Sequence, residues 1–404
     1  MVGFQQTDIG LIPEDWKVRT IGDYFDFKNG LNKEKYFFGH GTPIVNYMDV
    51  FNNLGITKRV IKGLVSVNND EIRNYEVRKG DVFFTRTSET TDEIGITSVV
   101  LEKLEKTVFS GFILRGRPKN NELSIGFKKY CFSSDNVRKE IVSKSSYTTR
   151  ALTNGTLLSN VLIPLPPFQE QEAIAEVLSD TDELIGALEK RIAKKRLIKQ
   201  GAMQTLLAPK DDWEVKKLGE ISKMSSGGTP SSKVLEYYDG KIIWVSISDI
   251  TDAGKFIGNS TKKITEKGLV NSSAKIFPKD TVLLAMYASI GKCCIATQNL
   301  TTSQAILGIE TKKLIINEFL YYYLVFHKQK LVSQGQQGTQ SNLNKGMVQD
   351  LDINLPSISE QTRIATILSD MDNEIKALEK KLAKTKELKQ GLMQQLLTGK
   401  IRLV

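Results

Sequence analysis

Between residues 166 and 207 the apolar positions recur in alternating steps of four and three, at Ile174, Leu178, Thr181, Ile185, Leu188, Ile192, Lys195, Lys199, Ala202 and Leu206. Residues 356–397 repeat the pattern at Ile364, Leu368, Met371, Ile375, Leu378, Leu382, Thr385, Lys389, Leu392 and Leu396. So narrow a stripe, kept over four to five heptads, predicts a coiled-coil seam and two long helices that pair. The two stretches superimpose without a gap at a shift of 190 positions (360 − 170), and 23 of the 42 aligned residues are identical, which makes them copies of one element. About 38 helical residues would span roughly 57 Å, enough for a spacer.

Both ends have a local cause. The first helix follows Pro166-Pro167, and the second follows Pro356, with Ser357 and Glu360 spaced as a capping box. Pro209 and Gly399 supply the stops. Lys195 and Lys199 in one seam, and Thr385 and Lys389 in the other, are polar steps that set register. Gly201 and Gly391 inside the helices point to a close helix crossing or a bound partner, or to a glycine carried along by duplication. The run Lys190, Arg191, Lys194, Lys195, Arg196, Lys199 faces either a polyanion or solvent.

Ahead of each helix the chain alternates differently, and the two blocks share a plan. Asp15-Trp16-Lys17-Val18 returns as Asp212-Trp213-Glu214-Val215, and Ile21-Gly22-Asp23 as Leu218-Gly219-Glu220. Residues 80–86 and 280–286 each read as an apolar strand ending in a polar loop, longer in the first block (88–95) than in the second (288–291). A single helix is expected at 125–144 and at 317–333, then a polar stretch at 146–150 or 335–340, then a short strand at 161–165 or 351–355.

Composition narrows the chemistry. With 404 residues, 40% of them apolar, the chain can build two or three cores, and no apolar run approaches a membrane span. Residues 1–10 carry no basic-then-apolar signal, so a cytoplasmic protein is expected. Cys131, Cys293 and Cys294 form no metal-binding or disulfide pattern, and His40 and His327 are too few for a histidine cluster; His327 reads as structural. A net charge of +10 favours an acidic partner such as nucleic acid. No glycine-rich nucleotide loop is present, since Gly291-Lys292 follows Ala285-Met286. There is no Asn-Pro-Pro-Tyr-like turn for adenine methylation, and Glu214-Val215-Lys216 has nuclease-like spacing only by chance. No catalytic, cofactor-binding or metal-binding residue is assigned.

The polar loops are the candidate contacts, because arginine, glutamine, asparagine and threonine match the donor and acceptor pattern of base edges. In the first block these are Lys28, Asn29, Arg86, Thr87, Ser88, Tyr147, Thr149 and Arg150. In the second they are Ser226, Thr229, Tyr287, Ser289, Lys292, Gln337, Thr339, Gln340 and Asn342. If Arg86 reads a base, Arg86→Ala should relax specificity at one position, and a uniform loss of affinity would make it a phosphate contact instead.

Several segments taken together resemble the specificity subunits of type I restriction-modification systems. They are Ile12-Pro13-Glu14-Asp15-Trp16, Ile163-Pro164-Leu165-Pro166-Pro167-Phe168-Gln169-Glu170-Gln171, Leu355-Pro356-Ser357-Ile358-Ser359-Glu360-Gln361, Gly338-Thr339-Gln340-Ser341-Asn342-Leu343-Asn344 and Leu396-Leu397-Thr398-Gly399-Lys400-Ile401-Arg402. The resemblance implies an α+β fold with two α/β target-recognition domains, residues 1–165 and 209–355, joined by two long antiparallel helices, 166–208 and 356–404, that form a coiled coil. A pseudo-twofold, circular organisation is implied too, since Leu396-Leu397 leads to Ile12–Trp16 as Leu206-Leu207 leads to Asp212-Trp213.

The function implied is recognition of a bipartite, asymmetric site on double-stranded DNA, with two methyltransferase subunits and restriction/translocase subunits as partners. S-adenosylmethionine, ATP and Mg²⁺ would sit on those partners, none on this chain, which would not itself be an enzyme. Two departures stand out: Thr148-Thr149-Arg150-Ala151-Leu152 takes the place of the second block's Gly338-to-Leu343 segment, and Phe27-Lys28-Asn29-Gly30 that of Ser225-Ser226-Gly227-Gly228-Thr229-Pro230. Competing readings are a coiled-coil assembly scaffold and a single-chain DNA-processing enzyme.

Overall fold

Ile12 and Trp16, near the start of the chain, are buried in one core with Leu396 and Leu397, near its end. The computed structural model that shows this describes residues 3–147, 149–335 and 342–403. The chain divides into two compact units: unit 1 holds the residues up to Glu189 together with those from Lys380 on, and unit 2 holds Lys190–Glu379. The division runs through both long helices, not at their ends.

Each unit is built on a five-stranded sheet. In unit 1 the order is Phe25–Asn29, Ile113–Pro118, Val82–Thr85, Thr97–Val100, Gly55–Ile56, antiparallel except for the last pair. In unit 2 it is Ser222–Ser226, Ile306–Thr311, Val282–Ala285, Cys293–Ala296, Phe256–Ile257, with the same directions. Every residue of the middle strands Val82–Thr85 and Val282–Ala285 is buried, because both faces of each sheet are covered. Val82 and Phe84 pack on Phe127, Val137, Ile174 and Leu178, while Phe83 packs on Val45, Val50 and Phe109 of the other layer. In unit 2, Val282 and Leu284 meet Phe319, Tyr323, Ile364 and Leu368, and Leu283 and Ala285 meet Val245 and Ile250. Cys293 and Cys294 fall on opposite faces of one strand and are free, as is Cys131.

The expected single helix after each sheet is broken in two. Unit 1 has Ile125–Cys131 and Asp135–Lys144, and unit 2 has Asn317–Phe326 and Lys328–Gly335. Apolar spacing continues across the breaks, which is why they are invisible to periodicity. In unit 1 the hydroxyl of Ser134 caps a new helix by accepting from the amide of Val137 at 3.4 Å. In unit 2 the break falls at His327, whose ring lies against Tyr323 and Phe326 and whose pKa is lowered by burial, in keeping with a structural histidine.

The long helices are Phe168–Leu206 and Ile358–Leu396, 39 residues each. Inside each unit the helical segments run antiparallel. In unit 1 Asp182 meets Lys389 at 2.6 Å and Glu189 meets Lys386 at 2.6 Å; in unit 2 Lys199 meets Asp372 and Arg196 meets Glu379 at 2.6 Å. The Ser357 hydroxyl accepts from the Glu360 amide at 3.3 Å, but the Glu360 carboxylate turns to Arg363 and Lys210 and does not close the expected box. A Cβ added at Gly201 or Gly391 would meet no atom within 4 Å, so neither glycine marks a close helix crossing. The basic run is not simply solvated: Arg191, Lys195, Arg196 and Lys199 answer Glu374, Glu379 and Asp372 on the facing helix.

Candidate nucleic-acid interface

Strand register gathers the candidate loops at one end of each sheet. Asn29 pairs with Leu114 and Leu114 with Phe84, so the turns beyond Asn29, before Ile113 and after Thr85 share an edge. In unit 2 Ser226 pairs with Leu307 and Leu307 with Leu284, giving the same edge. The chain after the broken helix returns to this edge in both units: the Thr153 amide donates to the Arg86 carbonyl, and the Leu343 amide to the Met286 carbonyl, both at 2.9 Å. Residues far apart in sequence are thereby placed on one rim.

In unit 1 the rim includes a small sheet of Ser146–Tyr147, Ala151–Leu152 and Thr87–Ser88. Lys28, Asn29, Thr149 and Arg150 are exposed, and Tyr147 is 59% exposed. Thr87 is half-buried, and Ser88 is buried, its hydroxyl 3.4 Å from Glu93 and accepting from the Thr90 amide. Arg86 is half-buried, with Nη1 donating to the Gly111 carbonyl at 2.9 Å and Nε buried without a partner. Tyr47, Met48, Phe51, Thr87, Ser88, Glu89, Glu93, Phe112 and Arg150 line an open cavity of about 410 Å³ at this rim.

In unit 2 Thr229 and Tyr287 are exposed, and Ser226, Ser289, Lys292 and Asn342 are half-buried. Ser289 and Lys292 both turn to Thr251, hydroxyl to hydroxyl at 2.7 Å and Nζ to carbonyl at 3.2 Å. Gln337, Thr339 and Gln340 lie outside the described residues. Gly227 and Gly228 are dictated by packing: a Cβ at either would fall within 2.2 Å of Thr302 or of the backbone at Ala274. The Trp244 indole fixes this loop by donating to the Gly228 carbonyl at 2.9 Å.

Sequence reasoning missed three things. Phe112, 68% exposed in the turn before Ile113, was not among the candidates; an apolar residue in a Ser-Gly-Phe turn was the available signal. A Tyr–Asp–Lys cluster fastens each head to its helices. Tyr130 and Lys389 bond Asp182 in unit 1, at 2.8 and 2.6 Å; Tyr322 bonds Asp372 in unit 2 at 2.7 Å, where Lys199 also pairs with it. Burial pushes Asp182 up, but hydrogen bonds from Lys389, Tyr130 and Lys129 outweigh it and hold the carboxyl below its ordinary value. Burial raises the Tyr130 and Tyr322 hydroxyls, which stay protonated donors. The seam lysines are therefore anchors as well as register markers. The third is Arg402, which reaches both Asp15 and Glu170.

Among the described residues no group of three or more His, Cys, Asp or Glu side chains is arranged to hold a metal ion, and no helix is long and apolar enough to cross a membrane.

The family model described as "Type I restriction modification DNA specificity domain" matches this chain twice, at residues 13–196 and 210–390. The type I restriction enzyme MjaVIII specificity subunit of Methanocaldococcus jannaschii is 26% identical over 97% of this chain and 94% of its own length. The MjaIX specificity subunit of the same organism is 36% identical over 40% of this chain and 38% of its own. The fold is similar to the crystal structure of a type I restriction-modification system S subunit from M. genitalium, with a TM-score of 0.57 and 17% identity over 94% of this chain and 96% of that one.

Proposed function

This chain belongs to the family of type I restriction-modification DNA specificity domains, and from that premise we propose that it chooses the DNA sequence for a multi-subunit enzyme whose chemistry lies on other chains. The observation that carries the reading is one framework with two different rims. Both units return the chain to the same sheet edge, yet Arg86 stands where the other unit has Met286, and Phe112 where it has Ala305. Matching five-stranded sheets with unlike rims suit two unlike half-sites of one asymmetric duplex site.

The net charge of +10 supplies sequence-independent attraction to phosphates, and the rim side chains supply the choice. Two copies of one helix suit two copies of a methyltransferase subunit, one beside each unit, with restriction/translocase subunits joining them. S-adenosylmethionine, ATP and Mg²⁺ then belong to those partners, and the complex works in the cytoplasm, where the DNA is. Footprinting of the assembled complex tests this: two protected half-sites separated by an unread gap are expected, and protection of one short continuous site overturns the reading.

A further inference from the structure

Phe112 has no packing reason to be where it is. It is 68% exposed at the tip of the turn before Ile113, while the equivalent position in unit 2 is Ala305; Ile113 and Ile306 bond back to Ser110 and Ser303 in the same way, both at 3.1 Å. The fold therefore accepts a methyl group there, and the ring is an addition of unit 1. The turn that carries the ring is held at its backbone. Arg86 Nη1 donates to the Gly111 carbonyl at 2.9 Å, immediately before Phe112.

The surroundings say what the ring faces. Glu89 and Glu93 line the same cavity as Phe112, together with Arg150, whose guanidinium lies 3.7 Å from Glu89. Arg150 answers Glu89, but Glu93 has no ion-pair partner among the described residues, and such a carboxylate repels phosphate while accepting hydrogen bonds from the amino groups of cytosine and adenine, so the rim beside Phe112 suits a base edge better than a phosphate. Base edges in the major groove offer donors, acceptors and a single apolar group, the thymine methyl.

We propose that Phe112 reads a thymine methyl in the half-site of unit 1, and that Arg86 is the positioning residue that holds the turn. The proposal rests on the DNA-recognition reading above and makes it specific. It requires a thymine, on either strand, in the half-site of unit 1. It also gives Arg86 a different task from reading a base itself.

The test uses the full-length chain assembled with its methyltransferase subunits, and duplexes in which each thymine of the half-site is replaced in turn by deoxyuridine, which lacks only the methyl. The wild type is expected to bind about fourfold more weakly at one such position, the worth of roughly one methyl contact. Phe112→Ala should bind thymine DNA roughly tenfold more weakly and be indifferent to that replacement. Phe112→Leu should keep part of the response. Arg86→Ala should lose discrimination at the same base pair, with no further loss in the Arg86→Ala/Phe112→Ala double variant and no change in salt dependence, whereas a phosphate contact would flatten the salt slope.

Equal losses by Phe112→Ala on both DNAs, or the absence of a thymine from the half-site, overturn the proposal. So does a rise in 2-aminopurine fluorescence without methyl dependence, which would make Phe112 an unstacking wedge. If the wild-type complex prefers no bipartite site, the recognition reading falls with it; if it does prefer one and no methyl matters, only the role of Phe112 falls.

Discussion

Unit 2 joins its helix to its head through a continuous chain, from Leu206 through Pro209 and Lys210 to Trp213, whereas unit 1 makes the same joint from segments far apart in sequence, residues 12–16 and 396–402. The apolar parts correspond: Met203 and Leu207 share a core with Trp213, and Leu396 and Leu397 share one with Ile12 and Trp16. The charged parts do not. In unit 1 Arg402 donates to Glu170 at 2.7 and 2.9 Å and to Asp15 at 2.9 and 2.7 Å, and the Trp16 indole donates to Glu170 at 2.9 Å. Those bonds push the Arg402 pKa further up and, through Arg402, hold Asp15 below its ordinary value. In unit 2 the counterpart Glu360 takes Arg363 and Lys210, which pull its pKa down to about 2, and its side chain stays 22% exposed against 0% for Glu170. A covalent link holds two segments together at high effective concentration for nothing more than its own length. Where that link does not run, a half-buried arginine bonded to two carboxylates does the holding.

The largest effect expected from breaking this contrast is at Arg402. Arg402→Ala leaves the Glu170 carboxylate buried without its cation, which should cost about 3 kcal/mol, while Lys210→Ala at the covalent joint should cost under about 1 kcal/mol. Thermal unfolding followed for both variants checks this, and equal losses would mean that the two joints are held alike.

The Tyr–Asp–Lys clusters come next. Asp182→Asn and Asp372→Asn should each cost about 2 kcal/mol in denaturant unfolding. Because the folded-state pKa of Asp182 is depressed, its contribution is complete above the unfolded carboxylate value near 4 and is lost as pH falls through the lower folded value. The gap between wild type and Asp182→Asn should therefore close in acid.

A smaller gain is expected from making the units more alike. The Ser124 and Ile316 amides each donate to a glutamine, Gln171 or Gln361, at 2.9 Å, and four residues on stands Lys128 in unit 1 but Leu320 in unit 2. Lys128 is 3% exposed beside a cavity of about 650 Å³, and among the described residues its Nζ finds only the Gly80 carbonyl, at 3.3 Å. Lys128→Leu should stabilise the chain by about 1–2 kcal/mol near neutral pH. Burial lowers the lysine's folded-state pKa, so its cost is full at neutral pH and shrinks as pH rises towards 10; the variant's advantage should shrink with it. The smallest effects belong to Gly201→Ala and Gly391→Ala, each expected to add about 0.5–1 kcal/mol. If either instead lowers the melting temperature or blocks assembly with partner subunits, the bare helix surface at that glycine is in use.

How much could be read beforehand follows from the range of the interactions. The helices, their seam and the doubling of the chain are legible because a seven-residue repeat is local and was copied nearly intact. Ser134 and His327 mark breaks that periodicity passes over, since a cap ends a helix through one hydroxyl without changing the apolar count. Alignment of the blocks put Arg86 and Tyr287 just beyond matching strands, and the structure brings both to the same edge of their sheets, whereas Ser88 is buried in its small sheet and Phe112 was not among the candidates. Composition identifies polar loops; it does not tell which side chain in them is spent on the protein itself.

By itself, the sequence determined that there are two copies of one helix, two related heads on one strand plan, and an excess of positive charge, because periodicity, duplication and composition are written residue by residue. Only the tertiary structure decided that Arg402 closes unit 1, that Asp182 and Asp372 tie tyrosine to lysine, and that Arg86 bonds a turn carrying Phe112. These contacts join residues up to 387 positions apart, and their partners are chosen by where the packed elements bring them, which no local pattern records.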